Sequence, residues 1–361
     1  MRKKICYILP LYDENTDTHY RYLYGFLERV SLELDVFLII EKARGNPERF
    51  RTHARVYVQK SSFFPLRALE IFLVALISRA RGYKDFYTHY SYLGALTGIF
   101  AGKFLGGRAF YWNCGMPWLY KTSSIRKAIF KIIMRMSIVV TGTGSLKNEY
   151  ARVYRLHAGN IRILPNWIDV TETKSKLLSK TDARKALGIP EETFMILFVH
   201  RLSERKGAHK IVPIAERFLK EREALFFVIG DGPERGRLEE SIKHRNLGEK
   251  FFLKGALPQK DILPYYSAAD ILLMPSDEEG FPHVILEAEA AGLPYVASDV
   301  GGVRDIAPPE MRGYIVPKDS IEDFSRTLVA FPKKNVFSDF LKKHVEQYDI
   351  GNTVAIFTRL F

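Results

Sequence analysis

The stretch EEGFPHVILEAEAAGLPYVASDVGG, residues 278–302, holds two carboxylates in settings that need a reason. Glu279 stands at a Gly-Phe-Pro turn just ahead of a helix-forming run. Glu287 follows among Val284, Ile285, Leu286, Ala288, Ala290 and Ala291. A carboxylate in apolar surroundings needs a partner, and ligand hydroxyls could supply it. The bland alternative makes Glu287 an exposed helix residue, as Glu289 is expected to be. With Pro282 in the first helical turn and Gly292 just past the end, Glu279 precedes a helix N-terminus, where amides and dipole point at one place. Glu287 lies roughly 7 Å further along the axis at 1.5 Å per residue, so both could serve one elongated ligand. A second group is FVHRLSERKG, residues 198–207. Here an apolar strand ends, and Arg201 and Lys206 follow before a helix. A planar guanidinium fork, a point charge and a helix N-terminus suit a diphosphate; a solvated turn of charges is the alternative.

These groups need elements to carry them. Apolar strands and amphipathic helices alternate along the chain. KICYILPLY, LDVFLIIEKA, DFYTHY, RAFYWNCG and IVVTGT read as strands. HYRYLYGFLERVSLEL, PLRALEIFLVALISRA, LGALTGIFAGKFLG and SSIRKAIFKIIMRMS read as helices between them. Continuous apolar strands separated by helices predict a parallel sheet covered on both faces. LPNWIDVTETKSK, residues 164–176, reads as a linker, after which the alternation restarts from FMILFVHRL. The expected fold class is α/β, with two Rossmann-like doubly wound domains facing each other across a cleft. VIGDGPERGRLEE, residues 228–240, only approximates a dinucleotide fingerprint, because Gly236 comes one residue late. Gly232 there reads as a turn that lets the backbone approach a ligand or a neighbouring strand.

Composition narrows the class. Of 361 residues 47% are hydrophobic, enough for two cores, and two cysteines, Cys6 and Cys114, make no disulfide framework and no zinc pattern. The apolar run after MRKK meets Asp13 and Glu14 too soon for a signal peptide, and IFLVALI, residues 71–77, is too short to span a bilayer. A cytoplasmic protein is expected, with association at the inner face of the membrane as its sharper form. The formal charge is +13; residues 1–170 carry 26 Lys and Arg against 12 Asp and Glu, whereas residues 171–361 carry 28 against 29. A basic excess confined to one half suits phosphates or an anionic membrane, or is a solubilising surface. No nucleic-acid motif accompanies it, so nucleic acid is not an expected partner.

Taken in order, these pieces resemble the retaining glycosyltransferases of family 4, the group 1 glycosyltransferases with the two-domain GT-B fold. The matching residues are Arg201 and Leu202 with Lys206 and Gly207, Gly232 and Pro233, YYSAADILLMPS, Glu279, Gly280 and Phe281 with Glu287 and Ala288, and Gly301 and Gly302; PNWID resembles the family's PNGID linker. The resemblance implies an N-terminal acceptor-binding domain over 1–168, a donor-binding domain over 169–345, and a C-terminal helix over 346–361 that returns to the first domain. It implies that Arg201 and Lys206 hold the donor diphosphate. Glu279, with the amides of Gly280 and Phe281 beside Pro282, would hold the sugar, and Glu287 the ribose. The implied reaction moves a hexosyl-type sugar from a UDP- or GDP-linked donor to a glycan, lipid or lipid-linked acceptor, with retention. No Asp-x-Asp occurs, so neither a metal nor another cofactor is expected; the two cations would do the electrostatic work.

The acceptor half departs from the family. A histidine usual after the fourth strand is replaced by YWNCGMPW, with Cys114 before Gly115. The first strand–helix loop, LYDENTDTHY, has Asp13, Glu14, Asn15, Thr16 and Thr18 where Gly-Gly is common. Asn113, Cys114, His89, Glu14 and Asn15 are the candidates on this side. Cys114 reads equally as a small buried residue and His89 as a packed one. The missing histidine supports the alternative of a catalytically silent subunit that binds a nucleotide sugar or a protein partner. Lastly, SSIRKAIFKIIMRMS, residues 123–137, sets Arg126, Lys127, Lys131 and Arg135 around Ile125, Ile129, Ile132, Ile133 and Met136. Those apolar positions follow helical spacing and need burial, either in the domain or, with Trp118 and Tyr120, at an anionic membrane.

Overall fold

The computed structural model describes residues 2–16, 20–332 and 335–361. Thr18 of the first loop lies outside them. The chain divides into two compact units, Met1–Pro165 with Ile350–Phe361, and Asn166–Asp349. The first boundary falls inside the PNWID stretch.

The first unit carries β1 (Lys4–Leu9), β2 (Tyr12–Asp13), β3 (Asp35–Ile40), β4 (Ala43–Arg44), β5 (Ala54–Val58), β6 (Asp85–His89), β7 (Arg108–Trp112), β8 (Ile138–Thr141) and β9 (Ile161–Ile163). Seven of these form one sheet in the order β5-β3-β1-β6-β7-β8-β9, while β2 and β4 pair separately. Every pairing is parallel, with β1 in register from Lys4 opposite Asp35 to Leu9 opposite Ile40. The central strands are buried through their whole apolar length, Ile5 to Leu9 and Val36 to Ile40, as a sheet covered on both faces requires. The final helix, Ile350–Thr358, packs on the Tyr20–Glu33 helix. It sets Phe357 against Phe26 at 5.2 Å and Tyr87 at 4.8 Å.

The second unit carries β10 (Met195–Val199), β11 (Leu225–Ile229), β12 (Phe251–Gly255), β13 (Ile271–Met274), β14 (Tyr295–Ser298) and β15 (Ile315–Val316). Their order is β12-β11-β10-β13-β14-β15, again all parallel. The order reverses between β10 and β13, and ligands of open α/β sheets bind outside the carboxyl ends of the strands at such a switch. Residues 198–207 leave the end of β10 and residues 275–282 leave the end of β13, so the topology brings the two chemical groups of the sequence to one place.

The Ser124–Met136 helix divides the apolar positions that were expected to need burial. Phe130, Ile133 and Met134 are buried, whereas Ile125 is 74% and Ile132 is 53% exposed. The helix puts its covering residues on one face and leaves a second apolar face outside the unit. The Trp118 ring packs edge-on against Tyr150 at 5.2 Å.

Candidate active site

Glu279 is the centre of the second unit's site. It is 4% exposed, and three side chains converge on its carboxylate. Lys206 Nζ lies 2.8 Å from Oε2, His200 Nε2 lies 3.2 Å from Oε1, and the Ser276 hydroxyl donates to Oε1 at 2.8 Å. Burial opposes ionisation, but Lys206 and then His200 outweigh it and hold the carboxyl well below the usual carboxylate range. His200 has its own pKa lowered, first by burial, with Glu279 opposing that shift and Lys206 adding to it. Its tautomer follows from its neighbours. The backbone N–H of Arg201 donates to His200 Nδ1 at 2.9 Å, so in the neutral ring the proton sits on Nε2 and points at Glu279. The result is a fixed, buried anion beside a neutral imidazole and an ammonium.

The loop after β10 is shaped for this. Gly207 sits at φ +70, and a Cβ there would fall on the Pro275 carbonyl oxygen; only glycine lets the two strand ends close. Lys206 is therefore held against β13, where its Nζ also meets the Glu278 carbonyl at 3.3 Å. Arg205 pairs with Glu278 at 2.7 Å. Arg201, by contrast, is exposed, and among the described residues its guanidinium has no ion pair. Gly232 leaves the end of β11, and a Cβ on it would meet the Leu202 carbonyl. Its place is the close approach of two strand-end loops that the sequence allowed for.

The helix behind the site is His283–Ala291. Pro282 is its N-cap rather than a residue of its first turn, and Gly292 closes it at φ +69. Gly280 and Phe281 are pinned from both sides. The Gly302 amide donates to the Gly280 carbonyl at 3.1 Å, and Asn166 Nδ2 donates to the Phe281 carbonyl at 2.9 Å. Asn166, from the PNWID stretch, is thus a brace for the loop that carries Glu279. Glu287 is buried, not exposed: Tyr266 OH donates to it at 2.7 Å and Gln259 Nε2 at 3.1 Å. Glu289 overturns its expectation more strongly. It is 0% exposed, accepts from Tyr295 OH at 2.9 Å, and meets His344 Nδ1 at 2.9 Å. The Ser338–His344 helix covers that face, and neither its docking nor the partner 55 residues away is visible in the local pattern.

In the first unit, His89 and Asn113 end the adjacent strands β6 and β7 or follow them directly. His89 is buried, meets Tyr7 OH through Nδ1 at 3.2 Å, and stacks on Trp112 with centroids 4.1 Å apart. That is the packed histidine of the two readings. Cys114 is buried, and Asn113 Oδ1 accepts from the Gly115 amide at 2.9 Å. Glu14 and Asn15 are exposed on the loop that follows β2, beyond the neighbouring strand β1. Sequence reasoning missed a cavity of about 530 Å³ at these strand ends, lined by Tyr90, Tyr92, Tyr111, Tyr120, Asn113 and Arg126 among others. Tyr90 there has φ +57, a left-handed conformation uncommon without glycine and frequent at ligand sites. The tyrosine-rich composition of this half was its only signal.

The fold and the second unit's sequence both have known counterparts. Residues 179–347 match the family model described as glycosyl transferases group 1, and the fold is GT-B. A glycosyltransferase of Methanocaldococcus jannaschii, MJ1607, is 30% identical over 184 residues, 50% of this chain and 47% of that one. The chain thus spans about half the length of the curated relatives it matches. Among solved structures, the sucrose-phosphate synthase of Thermosynechococcus elongatus superposes with a TM-score of 0.79 at 19% identity, covering 99% of this chain and 98% of that one. Anabaena HepE, in complex with UDP and glucose, gives 0.77 at 15% identity, covering 99% of each chain. At these identities the structural likeness speaks for the fold.

Proposed function

We propose that the protein transfers a hexosyl-type sugar from a UDP- or GDP-linked donor to a glycan, lipid or lipid-linked acceptor, with retention at the anomeric carbon. The observation that carries this reading is the buried Glu279 anion, fixed by Ser276 and by His200 and Lys206 of the loop that also carries Arg201. Arg201 and Lys206 take the diphosphate. As the bond between the anomeric carbon and the phosphate oxygen breaks, its electrons go to the diphosphate, and both cations stabilise the growing charge. Glu279 and the pinned Gly280–Phe281 backbone hold the sugar hydroxyls. An acceptor hydroxyl then bonds to the anomeric carbon on the face the diphosphate leaves, and its proton passes to the departing phosphate. Glu287, a buried carboxylate held by Tyr266 and Gln259, is the group this reading gives to the ribose hydroxyls. The tyrosine-lined cavity of the first unit suits an acceptor sugar, since aromatic faces pack on sugar rings and phenolic groups bond their hydroxyls. The cavity's Arg126 adds a site for a linked phosphate.

The reading needs no divalent cation, because it gives the charge of the leaving diphosphate to Arg201 and Lys206. It also places the protein at the inner face of a membrane when its acceptor is lipid-linked. Incubation with UDP- and GDP-sugars, following nucleotide release, tests it. Release from at least one donor, lost in Glu279→Gln, is the expected result. No release from any donor by a folded protein that still binds UDP or GDP would leave the silent subunit instead.

A further inference from the structure

On the first unit the Phe64–Ala80 helix packs on the Tyr92–Ala101 helix, and that one packs on the Ser124–Met136 helix. The first of these carries large apolar side chains on its outer face as well as its inner one. Ile71, Val74 and Ala75 are buried against the sheet. Leu66, Leu69, Leu73 and Ile77, at the i, i+3, i+7 and i+11 positions of the opposite face, are 57%, 54%, 48% and 49% exposed. Phe63 and Phe64 extend the face at one end. On the next helix Leu96 and Phe100 are exposed, followed by Phe104 and Leu105; Phe100 touches Phe72 at 4.8 Å, joining the two patches. Ile125 and Ile132 continue the surface on the third helix. A soluble surface rarely leaves so many large apolar side chains together.

The charge around this surface has one sign. Residues 61–137 contain eleven Lys and Arg against two Asp and Glu, a net +9. Both acids are committed. Glu70 accepts from Tyr57 OH at 2.7 Å and from the Lys60 and Ser61 amides, and Asp85 pairs with Arg108 at 2.7 Å. Lys103, Lys121, Lys127, Lys131 and Arg135 are exposed and have no ion pair among the described residues. We infer that these three helices are a docking face for an anionic lipid bilayer: the Leu, Ile and Phe side chains enter the acyl boundary and the cations rest among acidic headgroups. A second copy of the chain is the wrong occupant, because it would press two strongly positive faces together. No helix among the described residues is long and apolar enough to cross a membrane, so docking is lateral.

This inference deepens the membrane part of the function proposed above, and its test uses no donor, so the two fail separately. The full chain is sedimented with vesicles of phosphatidylcholine alone and of phosphatidylcholine mixed with phosphatidylglycerol, at low and moderate salt. Binding to the mixed vesicles, weakened by salt, is expected. The Leu69→Glu/Leu73→Glu variant should lose it by tenfold or more while keeping UDP or GDP binding. Lys127→Ala/Lys131→Ala should lose about 25-fold, from about fivefold per basic residue near an anionic surface. No binding to either vesicle, or equal binding by wild type and both variants, would overturn the inference. So would a dimer in sedimentation velocity that Leu69→Glu/Leu73→Glu abolishes, which would assign the face to a second copy.

Discussion

Glu279 and Lys206 are each held in place by the other, so the sharpest test changes charge and keeps shape. Glu279→Gln can still accept from Ser276 but loses the anion. Turnover should fall by roughly 10²–10³, the usual cost of losing one preorganised electrostatic group, with an unchanged circular dichroism spectrum. A near-normal rate would remove Glu279 from the site. Glu287→Ala should act differently, raising the donor KM more than it lowers kcat, since a ribose contact exists before and during the reaction. An unchanged donor KM would count against that contact. His200 and Glu279 also set a pH dependence. An unfolded histidine titrates near about 6.5, whereas His200 in the fold is held lower. Between the two values the unfolded chain binds more protons, so stability falls as pH falls through that window. Glu279 acts in the same direction at lower pH: its contribution is present above the ordinary carboxylate value and is lost toward the folded one. Tm should therefore decline on acidification from neutral pH, and His200→Gln should flatten the first part of that decline. Parallel curves for the two proteins would show that His200 does not titrate as argued.

The loops that carry these residues depend on elements distant in sequence. Asn166→Ala removes the donor to the Phe281 carbonyl; the unpaired carbonyl should cost about 1–3 kcal/mol, and the freed Gly280–Phe281 backbone should raise the donor KM. A lowered Tm with unchanged donor KM would make Asn166 a structural brace alone. The parallel-sheet architecture was legible in the sequence because fully buried strands must be apolar throughout, as Ile5 to Leu9 and Met195 to Val199 are. The meeting of Lys206 with Glu279 was legible because each follows the end of an apolar strand, whereas Glu287 lies in the middle of the His283–Ala291 helix. What stayed hidden depends on which side of an element is covered. Leu66, Leu69, Leu73 and Ile77 are as apolar as Ile71 and Val74, so hydropathy alone does not tell the outer face from the inner one. Glu289 looked like a surface charge because the helix that buries it, and His344 upon it, comes 55 residues later. His200 was present in the motif, but its role comes from a tautomer fixed by the Arg201 amide.

At the scale of the whole molecule the charge is divided: the basic excess lies in residues 1–170, while residues 171–361 are nearly balanced. Arg201 and Lys206 thus stand in a nearly neutral background, and the proposed metal-free transfer rests on them rather than on the bulk charge. Turnover should accordingly persist in excess EDTA, and complete loss restored by magnesium or manganese would contradict the metal-free reading. The division also predicts where a nucleotide acts. UDP or GDP that binds the folded state alone, at about 100 times its Kd, adds about 2.7 kcal/mol of stability by mass action. If the donor site is the one described, amide exchange on adding nucleotide should slow most in residues 198–207 and 276–287, where the two strand-end loops meet. Arg201→Ala, which removes an exposed guanidinium and no packing, should weaken that protection without changing the Tm of the unliganded protein. Protection centred instead on the tyrosine-lined cavity, at residues 90–92 and 111–120, would move nucleotide recognition to the first unit and reverse the assignment of donor and acceptor sides.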